Sequence, residues 1–247
     1  MKEEIQTLKL KFNEIKEMGW IESPARTDCG IIGLTFEKLI GLPENQFEIP
    51  DFGNIEIKTK SDSRFANINL FNCVPTGPRF HEVERIKDVY GYPDSELKDY
   101  KVLNGDVYAN KLNRIGSRFR FQLCVDRNSE KITLCIYDKY GNMLEDDVYW
   151  DFDILEEKLS RKLTYLAIVN TDKRRTGGKL FFKYKTIDFY KLRSFDAFLC
   201  LIENGSIRIK FKLSIFKDEK RLGKICDRGT SFSIEKDSID KLFERIS

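Results

Sequence analysis

The run Pro50-Asp51-Phe52-Gly53-Asn54-Ile55-Glu56-Ile57-Lys58 places one acid directly after a proline, then an acid and a lysine two residues apart. Two carboxylates that converge can hold a hard divalent cation through oxygen, and such a cation can activate water and neutralise the charge that develops as a phosphodiester is hydrolysed. An amine beside them can orient the attacking water and add positive charge. Asp51, Glu56 and Lys58 are therefore the candidate catalytic set, with Glu37 upstream as a third carboxylate. In a chain that is 34% charged, a loose spacing of this kind also arises without function, as an exposed Glu–Lys pair of small energetic weight. On the residues alone the two readings stand level.

These side chains need elements to position them. Residues 55–59 alternate apolar and polar, the pattern of a half-buried strand, which puts Glu56 and Lys58 on one face and leaves Asp51 in a turn before it. Ile5, Leu8, Phe12 and Ile15 recur at helical spacing and predict an opening helix ending near Gly19; a second helix, over 34–40, carries Glu37 and stops at Gly41-Leu42-Pro43. Further strands are predicted over 68–74, 119–125, 132–137, 164–169, 180–184, 207–215 and 231–234. Helices are predicted over 80–90, 151–163 and 189–202, with a closing helix from Asp237. Asp126-Arg127-Asn128-Ser129 reads as a hairpin connection, Arg174-Arg175-Thr176-Gly177-Gly178 as a basic turn, and residues 94–113 give no clear pattern. The sum is a mixed α+β fold.

Composition sets the frame without deciding function. With 247 residues, 41% hydrophobic and 13% aromatic, the chain can bury a full core as one large domain or two lobes, and no repeat or Gly/Ser-rich linker divides it. Forty-three Lys and Arg against 40 Asp and Glu give a net charge of +3, so a nucleic-acid footprint must come from local clustering. The six cysteines and His81 lack zinc-ligand spacing, and the charged N-terminal segment reads as neither a signal peptide nor a membrane span. A cytoplasmic protein is the expectation.

Beyond the catalytic run, Gly30-Ile31-Ile32-Gly33-Leu34-Thr35-Phe36-Glu37-Lys38-Leu39, Val148-Tyr149-Trp150-Asp151-Phe152-Asp153, Lys162-Leu163-Thr164-Tyr165-Leu166-Ala167, Ile202-Glu203-Asn204-Gly205 and Gly223-Lys224-Ile225-Cys226-Asp227-Arg228-Gly229-Thr230 follow in order over nearly the whole chain. Together they resemble the MvaI/BcnI family of type II restriction endonucleases, related in fold to the nicking endonuclease MutH. The resemblance implies a PD-(D/E)XK nuclease core, a mixed central sheet flanked by helices in a two-lobed clamp. It implies one nuclease domain over 1–247, with a catalytic lobe over about 1–165 and a recognition lobe over 166–247. It further implies Mg2+, with Mn2+ as a substitute, at Asp51, Glu56 and Ile57, with Lys58 assisting the nucleophile and Glu37 supporting the cluster. A monomer acting on double-stranded DNA at a short specific site is expected, beside a cognate DNA methyltransferase.

In the family, a segment of Asp-His-Gly-Thr type near the C-terminus reads bases, and this chain has Asp227-Arg228-Gly229-Thr230 there. Arg228 replaces the histidine, so the target sequence is expected to differ from the family's. Arg228 can offer a fork to guanine and Asp227 can accept from cytosine, while a salt bridge in a tight turn is the competing reading. Thr230, Lys224, Arg221 and His81 complete the candidate DNA-binding residues, the basic ones suited to phosphate. Two alternatives stay open: a MutH-like nicking enzyme of repair, and a DNA-binding protein without catalysis.

Overall fold

The computed structural model describes residues 1–24, 30–42, 49–61 and 67–247. In chain order its elements are α1 (Lys2–Glu17), β1 (Ile21–Glu22), α2 (Ile31–Leu39), β2 (Ile55–Ser61), β3 (Ile68–Asn72), α3 (Glu82–Tyr90), β4 (Tyr92–Pro93), β5 (Lys101–Val107), β6 (Asn113–Ile115), β7 (Phe119–Asp126), β8 (Lys131–Asp138) and β9 (Met143–Asp151). There follow α4 (Phe152–Leu163), β10 (Tyr165–Thr176), β11 (Lys179–Leu192), α5 (Phe195–Glu203), β12 (Ile207–Ile215), β13 (Ile225–Asp227), β14 (Ser231–Ile234), a 3-10 turn (Lys236–Ser238), α6 (Ile239–Leu242) and β15 (Phe243–Arg245). Among the described residues, no helix is long and apolar enough to cross a membrane.

The chain forms two compact units that interleave in sequence: residues 1–68, 158–193 and 235–247 in the first, 69–157 and 194–234 in the second. This grouping differs from a single boundary near residue 165. The reason is strand pairing: β10 lies parallel to β2 and β11 lies antiparallel to β10, so the segment after 165 completes the sheet that carries Glu56 and Lys58.

In the first unit the strand order is β1-β11-β10-β2, with β15 also on β11. The β2–β10 pair is parallel and the other pairs antiparallel, giving the expected mixed sheet. One face is covered by α1 and α2. Leu8, Phe12 and Ile15 of α1 meet Ile31, Phe36 and Ile40 over Ile55 and Ile57 of β2, Ala167 and Val169 of β10, and Phe182, Tyr184 and Phe189 of β11. The helical spacing on α1 and the alternation on β2 thus feed one apolar layer, and burying it is the main stabilising term of the unit.

The second unit holds a sheet in the order β3-β14-β12-β5-β4, with β13 on β12, and a meander in the order β6-β7-β8-β9. Phe71, Phe198, Phe232 and Trp150 pack in its core with ring centroids 5.1–6.0 Å apart.

The elements differ from the sequence reading in several places. β11 continues to Leu192, and the helix expected from 189 begins only at Phe195, where Ser194 Oγ accepts the Ala197 N–H at 3.0 Å. Residues 187–192 pair with 164–169 of the neighbouring strand, and that pairing overrides their helix-compatible composition. The expected closing helix is a 3-10 turn and one short helix followed by β15, while β5 and β9 occupy stretches that had given no strand signal.

Candidate active site

Asp51 is brought to β2 by a tight turn. Phe52 and Ile55 exchange both main-chain hydrogen bonds at 2.9 Å across Gly53-Asn54, with Gly53 at φ +59°, where a residue lacking Cβ is unstrained. Glu4 of α1 accepts from Asn54 N at 3.3 Å and Asn54 Nδ2 at 3.1 Å, fixing the turn from the helix side. The chain is thereby folded back so that Asp51 Oδ2 accepts the Ile57 N–H at 2.9 Å. Among the described residues β2 is an edge strand, so this N–H points away from the β10 ladder, and the Asp51 carboxylate takes the place of a neighbouring strand.

Glu56 and Lys58 occupy the opposite face of β2 from the buried Ile55 and Ile57, as period two requires. Glu56 is only 1% exposed, and the Lys58 ammonium donates to its Oε1. A second amine, Lys162 Nζ, lies 3.5 Å from the same oxygen. Glu56 Oε2 is buried without a hydrogen-bond partner. Burial pushes the Glu56 carboxyl above its ordinary range; Lys58 opposes this, the nearby Asp51 charge adds to it, and Lys162 opposes it further.

Lys162 lies in one of the segments that carry the family resemblance, and its sequence position alone gives it no role. It sits in the last turn of α4, where a lysine ordinarily complements the helix dipole and attracts no notice. Its function-like placement follows from register: β10 starts directly after α4, and Leu166 lies opposite Glu56, so the last helical turn ends beside the carboxylate. The parallel pairing of β2 and β10 was the missing signal.

Glu37 does not complete a cluster of three carboxylates. Among the described residues no three Asp, Glu, His or Cys side chains converge as a metal-holding group. α2 packs on the Ile55–Ile57 side of β2, and Glu37 lies by Thr59: a Cβ built on Gly33 would be 3.4 Å from Thr59 Oγ1 and 3.5 Å from Glu37 Oε1. Its charge is felt instead by Tyr184, whose phenol is pushed up first by burial and then by Glu37. Ile57 has its side chain in the core, so only its main-chain carbonyl could serve a metal.

The candidate DNA-binding residues all belong to the second unit. Asp227 ends β13 and its Oδ1 accepts the Gly229 N–H at 2.6 Å, closing a turn from which Asp227 and Arg228 are exposed. Lys224 is exposed; Arg221 pairs with Asp218 at 2.8 Å and lies 3.8 Å over the Phe216 ring. His81, 80% exposed and at φ +60°, caps α3 and stands 3.7 Å from Glu84. Thr230 differs from the others in being fully buried beside β14: its carbonyl accepts Cys73 N at 2.8 Å, and its hydroxyl has no partner among the described residues. The sequence reading took β12 only as a strand, yet its polar face carries Arg208 and Lys210, which share Asp106 of β5 at 3.3 and 3.6 Å, and Lys212, whose amine is pushed down by burial and by Lys210.

Two neighbouring carboxylates at a strand edge with two amines are parts that phosphodiester cleavage could use. The profile of the MvaI/BcnI restriction endonuclease family matches residues 9–243. Over 100% of this chain and 98% of the other, the structure is similar to a restriction endonuclease MvaI–cognate DNA substrate complex, with 29% identity and a TM-score of 0.92. It is also similar to restriction endonuclease MvaI in the absence of DNA, with the same coverage and identity and a TM-score of 0.64. A search of curated protein sequences returns no match. With the family profile covering nearly its whole length, the chain belongs to the MvaI/BcnI restriction endonuclease family, whose members are site-specific DNA nucleases.

Proposed function

We propose that the chain is a Mg2+-dependent type II restriction endonuclease that hydrolyses both strands of duplex DNA at a short site, with Asp51, Glu56, Lys58 and Lys162 as its catalytic residues. The observation that carries this reading is Glu56: a carboxylate 1% exposed, with one oxygen shared by two amines and the other buried with no partner. Burying such a group is costly unless its charge is paired, and a bound cation would supply the partner that the second oxygen lacks. The donor set fits a hard cation: Glu56 Oε2, the Asp51 carboxylate and the Ile57 carbonyl are all oxygen, and Mg2+ is commonly held by one or two carboxylates with the rest of its shell left to water and phosphate. Mn2+ suits the same set. When bound, the cation would lower the pKa of water and offset charge on the phosphate.

The protein's own groups do the positioning. The Ile57 N–H holds Asp51 Oδ2 and leaves the second oxygen of that carboxylate available. Lys58 Nζ, on the Glu56 face, orients the attacking water and donates to the non-bridging phosphate oxygen as negative charge grows there. Lys162 Nζ approaches the same carboxylate from α4, favours the charged form of Glu56 against its burial and adds a second positive charge. Arg228 and Asp227 are proposed to read base edges, with Lys224, Arg221 and His81 at the backbone. The protein is proposed to act as a cytoplasmic monomer beside a DNA methyltransferase of matching specificity.

Incubation with supercoiled plasmid and Mg2+ tests the reading. Linear product with defined ends, abolished by EDTA or by Asp51→Ala, is expected. Only relaxed circles would favour a nicking enzyme, and binding without any strand break would leave a DNA-binding protein.

A further inference from the structure

We infer that the outer halves of β10 and β11 form an arm that holds the DNA backbone beside the catalytic face, with Arg174 and Lys183 as its phosphate contacts. The inference rests on the nuclease reading and extends it to a part of the first unit that carries no catalytic group.

Among the described residues, β2 accompanies β10 as far as the Ser61–Thr171 pair. Beyond it, residues 172–176 pair with 179–183, and Ile21 and Glu22 of β1 add briefly to the far side of β11. The two strands close through Gly177 and Gly178 at φ +58° and +78°, the conformation of a two-residue hairpin turn. Among the described residues, the result is a two-stranded ribbon that continues beyond the last parallel pair.

Its faces are set by alternation from the catalytic strand. Leu166 and Ile168 lie opposite Glu56 and Lys58, so the same face of β10 continues through Asn170 and Asp172 to Arg174. Across the ribbon Asp172 pairs with Lys183 and Arg174 with Phe181, which places Lys183 on that face too. Lys173 and Arg175 point to the other side, the side on which their partners Phe182 and Leu180 join the α1 layer. The six steps from Ile168 to Arg174 span about 20 Å, a length over which duplex DNA presents roughly six phosphates per strand.

The charges on this face are arranged so that two remain uncommitted. Asp172 is paired with Lys185 at 2.9 Å, and Glu22 with Lys179 at 2.8 Å. Arg174 and Lys183 are exposed and have no carboxylate partner among the described residues. Arg174 is also held in place: its guanidinium lies 4.1 Å over the Trp20 ring and 5.7 Å from that of Phe181. A guanidinium stacked by its face keeps its N–H edge for an acceptor, and a planar fork fixed in advance loses little entropy on binding phosphate. An unpaired, stacked arginine on the face of two catalytic side chains therefore suits a polyanion that crosses that face.

The test is fluorescence anisotropy of a labelled duplex of mixed sequence with the full chain in EDTA, over a series of salt concentrations. Arg174→Gln with Lys183→Gln should lower the slope of log affinity against log salt by about 1.8, two contacts at about 0.9 each, and weaken binding about 30-fold near 0.15 M salt. Lys173→Gln with Arg175→Gln removes the same charge from the opposite face and should move the slope by less than a third as much. Arg174→Lys with Lys183→Arg should restore the slope. Equal losses in the two neutralised pairs, or an unchanged slope in the first, would overturn the arm while leaving cleavage by the wild type, and with it the nuclease reading, standing. A wild-type chain that bound no duplex would overturn both.

Discussion

Glu56→Gln separates the stability of the site from its chemistry, and the two should move in opposite directions. Burial raises the folded-state pKa of Glu56 above the ordinary 4.5, so the native chain binds this proton more tightly than the unfolded chain does. The associated stability is present in full below pH 4.5 and is lost as pH rises through the raised native value; at neutral pH the ionised group opposes folding. An isosteric amide removes that charge. A buried unpartnered polar group costs about 1–3 kcal/mol and more when it is charged, so the amide, unpartnered too, costs less than the carboxylate. The amines left behind, Lys58 and Lys162, are each 26% exposed and partly solvated, so losing their partner costs about 1 kcal/mol or less.

The variant should therefore be more stable than wild type by about 1 kcal/mol at neutral pH, which raises the melting temperature by roughly 2–4 °C for a chain of this size. That advantage should shrink to nothing in acid. Mg2+ at ten times its Kd should stabilise the wild type by about 1.4 kcal/mol and leave the variant unmoved. Cleavage should fall by about 10³-fold or more. Chemical denaturation in EDTA and in Mg2+, from acid to neutral pH, reads these differences, with plasmid cleavage alongside. A variant less stable than wild type at neutral pH, or one that Mg2+ stabilises equally, would refute the assignment of Glu56 as a strained metal-binding acid.

Gly53→Ala introduces a Cβ at φ +59° against the Glu4 carboxylate, so it should cost about 1–2 kcal/mol in denaturation and, by displacing Asp51, lower the cleavage rate by roughly 10- to 100-fold. Lys162→Met keeps the packing of α4 but removes a cation that holds the Glu56 pKa down; cleavage should fall about 10²-fold and the acid limb of the rate–pH profile should move to higher pH. An unmoved limb would mean that Lys162 acts apart from Glu56. Thr230→Val removes a buried hydroxyl with no partner and should be neutral or stabilising by up to about 1 kcal/mol, with DNA affinity unchanged in a gel-shift titration. Lost affinity there would return Thr230 to the interface.

Glu56 and Lys58 were readable because period-two alternation is local: once residues 55–59 form a half-buried strand, both side chains must share a face. Asp51 was readable for a similar reason, since a glycine two residues on permits the turn that folds it back. The setting of Glu37 was not legible, because helical position alone does not say which face of a sheet the helix covers; the apolar stripe of Ile31, Phe36 and Ile40 takes α2 to the Ile55–Ile57 side. The burial of Thr230 was not legible either, because its motif crosses from an exposed turn to a buried strand within three residues. Lys162 stayed hidden because its place depends on a pairing between strands far apart in sequence, which periodicity does not report. That one pairing has a further consequence. Setting Leu166 opposite Glu56 determines which face every later residue of β10 occupies, so the register that delivers Lys162 to the carboxylate is also what places Arg174, and not Arg175, on the catalytic side of the ribbon. A shift of one residue in that register would reverse both assignments together.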